Sequence, residues 1–194
     1  YNEGLEFFHK KDYDKAISKF YSAASKGHIK AMYYLGECCY AKNEWLGVWN
    51  SNSYTTLYAK NEYQRAAEKG YAPAMVKIGT YYEYKNDLSN AVQYYIQASK
   101  QNESDAINRI VELCVLKRIT INDEIKDVFY LAAHNGNKDA QYQVAMWAYE
   151  SNNIADAKYW LQQATNNGHV QASAKLTDIL KAEELMICKQ KADS

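Results

Sequence analysis

A short motif, alanine with three further residues and then glycine or asparagine, recurs five times along the chain. The copies end at Gly27, Gly70, Asn102, Gly136 and Gly168. Successive ends are 43, 32, 34 and 32 residues apart. A period of 32 to 34 residues, with one longer copy, predicts a repeat array in which neighbouring units complete each other's core.

Each copy is predicted to be two amphipathic helices joined by turns. Small or apolar residues recur four and then three positions apart before each motif, as in Ala59, Tyr63 and Ala66, which places them on one helix face. A second apolar stripe with the same spacing begins four residues after the glycine, as in Ala31 and Leu35. The motif glycine is expected at positive φ, where it can close the end of a helix.

The predicted fold class is therefore all-α, with about five to six helix pairs in a single domain of residues 1–194. The predicted units are 1–27, 28–70, 71–102, 103–136 and 137–168, followed by a capping helix at 169–191. Gly36 and Gly79 fall inside helices, where glycine costs about 1 kcal/mol relative to alanine. We expect close helix packing to offset that cost.

Two segments depart from the period. An insertion at 43–53 carries Trp45 and Trp49, which either contribute to binding or cover the exposed side of the array. The loop from Leu116 to Asn122 is two residues longer than its counterparts and contains a basic pair, Lys117–Arg118, which is either solvated or a partner contact.

The sequence offers no catalytic or metal-binding pattern. The four histidines are not clustered, and no glycine-rich phosphate loop or zinc motif is present. The four cysteines are predicted to be reduced, because those on the apolar stripe lie two repeats apart. We therefore expect no enzymatic activity, no cofactor and no metal.

Charge and hydropathy exclude two further classes of function. Lys plus Arg and Asp plus Glu both total 23, and no basic face is visible, which argues against a nucleic-acid partner. No apolar run approaches the roughly 18 residues of a membrane span.

Several motifs resemble the Sel1-like repeat, a relative of the tetratricopeptide repeat. The similarity is carried by Ala31-x-x-x-Leu35-Gly36, by Phe20-Tyr21-x-Ala23-Ala24-x-x-Gly27, and by the Gly-His pairs at 27–28 and 168–169. The resemblance implies a right-handed α-solenoid whose first helices line a concave groove. It also implies a bacterial, non-catalytic scaffold or adaptor that binds another protein.

An alternative role is that of an immunity or inhibitor protein that neutralises a toxin or effector enzyme. The chain begins without an initiator Met and inside a helix, so it is either shortened or has lost a signal peptide. The expected compartment is accordingly the periplasm or the exterior in the second case, and the cytoplasm in the first.

The predicted partner-binding residues lie on first helices, just off the buried stripe. They are rich in tyrosine, of which the chain has 19, and tyrosine is enriched at interfaces. Glutamates along the same surface favour a partner with a basic segment. The predicted set is Tyr33, Glu37, Tyr40, Glu83, Tyr84, Glu112, Tyr142, Met146 and Tyr149, with Trp45 and Trp49 at the rim.

Overall fold

The computed structural model describes residues 1–42 and 54–192. Within these residues the chain forms helices and no strands, as the sequence predicts. It divides into two compact units, Tyr1–Ala106 and Ile107–Ser194. The predicted insertion at 43–53 lies outside the described residues.

The helices alternate as first and second members of pairs. Unit 1 contains α1 (Asn2–His9), α2 (Tyr13–Ala24), α3 (Ile29–Ala41), α4 (Tyr54–Glu68), α5 (Ala72–Tyr84) and α6 (Leu88–Ser99). Helix α7 (Ser104–Val115) crosses the boundary between the units, and unit 2 continues with α8 (Asp123–His134), α9 (Lys138–Glu150), α10 (Ile154–Asn166) and α11 (Val170–Ala192). The odd-numbered helices are the first helices of their pairs.

The turn between one pair and the next has the predicted backbone. Gly27, Gly70, Gly136 and Gly168 have φ between 82° and 88°, and Asn102 has φ 59°. After the glycine, the next amide reaches back to close the helix end, as where His28 N–H donates to Ala23 O at 3.2 Å. This is the hydrogen-bond pattern of a Schellman C-cap.

A second set of positive-φ residues closes the first helices, and the sequence did not indicate it. Lys11, Asn86, Lys117 and Asn152 have φ between 54° and 60°. Two of these four are lysines, whose Cβ is strained in the left-handed region by about 1 kcal/mol.

Replacing Lys117 by glycine should therefore stabilise unit 2 by about 1 kcal/mol, because glycine adopts φ 54° without that strain. Chemical denaturation of the variant beside the parent chain measures the change. Gly136→Ala is the matched control, since it introduces a Cβ at φ 88° and should destabilise the chain. A Lys117→Gly chain less stable than the parent would contradict this account of the turn.

The core of unit 1 is built on glycine–aromatic contacts between the two helices of a pair. The rings of Phe20, Tyr63 and Tyr95 are buried on the second helices. A Cβ added at Gly36 would lie 2.7 Å from the Tyr63 ring, and one at Gly79 would lie 2.5 Å from the Tyr95 ring. A Cβ added at Gly4 would likewise lie 2.7 Å from the Phe20 ring. The predicted reason for glycine within these helices, close packing, is confirmed.

Unit 2 solves the same packing problem with different residues. Ala145 occupies the position of Gly79, and Leu161 occupies that of Tyr95. Both are fully buried in one cluster with Ala164, Ala172 and Ile179. A smaller side chain on α10 thus leaves room for a methyl group on α9, which explains the departure from the Leu-Gly pattern here.

Candidate partner-binding face

The predicted side chains lie on first helices, which are α3 and α5 in unit 1 and, in unit 2, α9 and the larger part of α7. Trp45 and Trp49 belong to the insertion and are outside the described residues. The contacts of the remaining nine side chains divide them into three groups.

The first group joins successive repeats. Here the residue two positions after the buried alanine that begins the apolar stripe of a first helix contacts the N-cap residue of the first helix in the next repeat. Tyr142 stacks on His169, with ring centroids 4.3 Å apart and planes 16° apart. Tyr33 meets Tyr71 edge to face at 5.3 Å, and in the same register Asn137 donates a side-chain hydrogen bond to Asn108 at 2.9 Å.

This ladder gives Tyr33 and Tyr142 a structural role, and their part in binding a partner stays a prediction. Tyr33 also packs on the buried Tyr63 ring of its own repeat, with ring centroids 5.7 Å apart, and both Tyr33 and Tyr142 pack against the next repeat. Burial raises the pKa of the Tyr33 phenol, with Glu37 adding to the effect, so this hydroxyl stays neutral. Both residues therefore contribute to the array itself.

The Gly-His pairs have a structural explanation that the sequence did not reveal. Nδ1 of His28 accepts a hydrogen bond from Ala31 N–H at 3.1 Å, and Nδ1 of His169 accepts one from Ala172 N–H at 3.2 Å. Each imidazole is thus the N-cap of a first helix. Asn137 takes the same position before α9 and caps it in the same way, and asparagine is among the preferred capping residues.

The second group consists of the three glutamates, whose carboxylates are engaged within the chain. The Tyr63 hydroxyl donates to Glu37 Oε1 at 2.6 Å, and Lys77 Nζ lies 2.9 Å from the same oxygen. The Tyr95 hydroxyl donates to Glu83 Oε2 at 3.2 Å. Glu112 is paired with Arg109 one turn earlier on α7.

These contacts give the glutamates partners within the chain, and the basic partner segment stays a prediction. A buried phenol needs an acceptor for its proton, and Glu37 and Glu83 supply one to the two largest buried side chains of unit 1. Burial, followed by Glu37, raises the pKa of Tyr63 well above its ordinary value, which keeps the phenol a donor. The glutamate row is therefore largely explained by the core.

The side chains of the third group are at least partly exposed. Tyr84 is 49% exposed and Tyr149 is 37% exposed, while Tyr40 and Met146 are half-buried. Each of the three tyrosine rings has a lysine ammonium nearby: Lys77 over Tyr40, Lys85 over Tyr84, and Lys175 over Tyr149 at 3.9 Å from the centroid. The prediction that these four residues bind a partner stays a prediction.

The imidazole of His169 is not arranged as a general base. Its Nδ1 lone pair is occupied by Ala172 N–H, so in the neutral ring the proton is on Nε2, which faces Asp139 Oδ1 at 3.5 Å. Burial lowers the pKa of His169 more than Asp139 raises it. A neutral ring with both nitrogens engaged has no free lone pair for proton abstraction.

Three of the four thiols do not have the character of nucleophiles. Burial raises the pKa of Cys38 to about 12, and that of Cys39 and Cys114 to about 11. Reactive cysteines require a lowered pKa. No group of three or more potential metal ligands occurs among the described residues, and none of the described helices is long and apolar enough to cross a membrane.

The His169 cap predicts a specific pH dependence. Because its folded-state pKa is lowered, the unfolded chain binds the proton more tightly, so stability present above about pH 6.5 is lost as the pH falls toward the folded-state value. His169→Asn should keep the cap, as Asn137 does, and should reduce the loss of thermal stability between pH 7 and pH 5. His9→Asn, at an exposed position at the end of α1, controls for removing a histidine. An unchanged pH profile in His169→Asn would show that this imidazole does not contribute.

Comparison with known proteins decides the fold. No protein-family model matches the sequence. The crystal structure of a Sel1 repeat protein from Oxalobacter formigenes superposes with a TM-score of 0.66 and 22% identity, over 91% of this chain and 74% of that one. The chain has the Sel1-like repeat fold.

Two further proteins are similar to this chain. A protective antigen present in uropathogenic Escherichia coli strains has a TM-score of 0.55 and 20% identity, with 84% of this chain and 36% of that chain covered. Chitin synthase regulator SKT5 of Malassezia restricta is 27% identical over 144 residues, which cover 65% of this chain. The match spans 10% of the length of that regulator.

Proposed function

We propose that this Sel1-like repeat chain is a non-catalytic scaffold that binds another protein through the exposed side chains of its first helices. The observation that carries the proposal is the set of aromatic rings on these helices that have a lysine ammonium nearby. Rings at Phe7, Tyr40, Tyr84 and Tyr149 each have an ammonium group within 6 Å of the centroid.

A lysine over a ring holds both side chains in place before a partner arrives. Ordering a flexible side chain costs about 0.5–1.5 kcal/mol on association, so a ring already held by its neighbour makes a better anchor. Tyrosine also supplies a large apolar area with a hydrogen-bonding tip. Arrays of helix pairs characteristically use extended surfaces of this kind to bind partners.

The similarity to a chitin synthase regulator supports an enzyme as the partner. A regulator acts through another protein, as this proposal requires, and the match covers most of this chain. The alternative of a toxin-neutralising inhibitor also has an enzyme as its target. Nothing in the geometry distinguishes the two roles, so toxin neutralisation stays a prediction.

The test compares tyrosines on the two kinds of helix. A partner is captured from the native host with the intact chain and its affinity is then measured for Tyr84→Ala and Tyr149→Ala. Loss of a central aromatic anchor costs about 2 kcal/mol, equivalent to roughly 30-fold in Kd. Tyr21→Ala on α2 and Tyr159→Ala on α10 are matched controls, because these tyrosines are 59% and 56% exposed on second helices.

The proposed face is wrong if the second-helix variants lose affinity and the first-helix variants keep it. Thermal denaturation of all four variants accompanies the binding measurements. Since the four rings are partly exposed, we expect the melting temperatures to stay close to that of the parent chain.

A further inference from the structure

Unit 2 contains a cleft of about 260 Å³ that neither the core nor the lysine–tyrosine pairs account for. Its lining includes the Cys114 thiol and the Phe129 ring, together with the stacked rings of Tyr142 and His169. The loop between α7 and α8, noted for its extra length and basic pair, adds Lys117 and Ile121.

The loop side of the cleft is apolar and exposed. Val115, at the end of α7, is 54% exposed and lines the cleft, and Ile121 is 36% exposed and lines it as well. Leu116, between Val115 and Lys117, is 61% exposed. Three large aliphatic side chains close together on one short exposed segment are typical of an interaction site rather than of scattered surface residues.

The volume indicates what can enter. Pockets for small-molecule ligands and cofactors measure about 300–1,000 Å³, whereas a cavity of about 150 Å³ holds one benzene. At about 260 Å³ the cleft is too small for a typical cofactor and large enough for a single aromatic side chain. Aromatic side chains that fill such pockets are the usual anchors of protein interfaces.

The charges around the cleft favour an acidic residue next to the partner's aromatic side chain. Lys117 lines the cleft and is exposed, and Arg118 follows it in the loop. Asp139, on α9, is the carboxylate in the lining. The loop from Leu116 to Asn122 carries these two basic residues and no acidic one, so a partner carboxylate on the loop side of the cleft meets positive charge.

We propose that this cleft receives one aromatic side chain of a partner protein, with an acidic residue of the same segment lying against Lys117. The proposal deepens the protein-binding function argued above and rests on it. The contacts would be an aromatic ring against Phe129 and the Tyr142–His169 stack, aliphatic cover from Val115 and Ile121, and an exposed ion pair to Lys117.

The test uses short probes and Cys114 as the reporter. In a Cys188→Ser chain, which lacks the exposed thiol, Cys114 is the half-buried cysteine and Cys38 and Cys39 are buried. The alkylation rate of Cys114, followed by mass spectrometry, is measured with acetyl-Trp-Glu-amide, acetyl-Trp-Lys-amide and acetyl-Ala-Glu-amide. Methyl NMR of Val115 and Ile121 gives an independent record of binding.

We expect the Trp-Glu probe to slow alkylation of Cys114 and to shift both methyl signals, and the Ala-Glu probe to do neither. The Trp-Lys probe should bind about two- to fivefold more weakly than Trp-Glu, as an exposed ion pair would give. In a Lys117→Gln chain that difference should shrink or vanish, with tryptophan binding retained. This variant removes the positive charge at an exposed loop position. Its folding is checked by circular dichroism.

Absence of protection and of methyl shifts with both tryptophan probes would overturn the proposal. Equal binding of Trp-Glu and Trp-Lys to the parent chain would contradict the proposal that an acidic residue of the partner lies against Lys117. Either result leaves the tyrosine experiment on the first helices unaffected, so the two proposals can fail separately. If the probes bind but Tyr84→Ala and Tyr149→Ala do not weaken binding of the captured partner, the cleft proposal is supported and the proposed first-helix surface is wrong.

Discussion

Replacing Gly79 by alanine should destabilise the chain by about 2 kcal/mol, although alanine is the better helix former by about 1 kcal/mol. The added methyl group would lie 2.5 Å from the Tyr95 ring, closer than any real contact permits. That ring is fully buried and its hydroxyl donates to Glu83 and Thr80, so moving the ring aside would disrupt these hydrogen bonds. Urea denaturation measures the change in the free energy of unfolding.

The chain itself supplies the compensating substitution. Unit 2 has Ala145 where unit 1 has Gly79, and Leu161 where unit 1 has Tyr95. In a double-mutant cycle, Gly79→Ala with Tyr95→Leu should lose less than the two single changes together, by about 1 kcal/mol or more. Ala145→Gly is the control and should cost about 1 kcal/mol, since Leu161 leaves space for the methyl group. If the changes in the free energy of unfolding at positions 79 and 95 are simply additive, the Tyr95 ring does not exclude a methyl group at position 79.

Replacing Ala66 by tryptophan should have the larger effect, a loss of about 3 kcal/mol or more. Ala66 is fully buried on the stripe of α4. An indole there must displace neighbouring helices, because packed interiors have no voids of that size. Thermal or urea denaturation should show a strongly destabilised or unfolded chain.

The same substitution at the equivalent residue of α2 is its matched control. Ala23 has the register of Ala66 in an earlier repeat but is only half-buried. Ala23→Trp should therefore cost clearly less than Ala66→Trp. If both variants are equally stable, the side chain at position 66 does not face the neighbouring helices and the register is wrong.

Periodicity predicted the fold because each helix obeys the same local rules. The stripe alanines Ala16, Ala59 and Ala91 are all fully buried, and four glycines and Asn102 have the positive φ that their position demanded. The lysines at positive φ, Lys11 and Lys117, were missed because lysine carries no preference for that backbone; only the spacing of the turns places it there.

The candidate face was harder to predict, for a physical reason. A helical wheel shows which side chains leave the stripe, but it cannot show what the next repeat brings against them. Tyr142 meets the cap of α11, His169, which lies 27 residues later. Glu37 meets the buried Tyr63 hydroxyl on the following helix. The first contact depends on how repeats stack and the second on how the two helices of one pair meet, so the sequence alone left these residues among the surface side chains.

The order of helix contacts has a consequence for how the chain folds. Within each unit, the main contacts join helices that are consecutive in the sequence, such as α2 with α3 and α9 with α10. Chains with such short-range contacts have little loop entropy to overcome, and they fold in microseconds to milliseconds rather than seconds. A helix pair that has formed is also a template for the next one, so folding can begin at more than one place and spread. Kinetics of this chain should accordingly be fast, and the slowest steps should belong to pairs with strained closures such as Lys117.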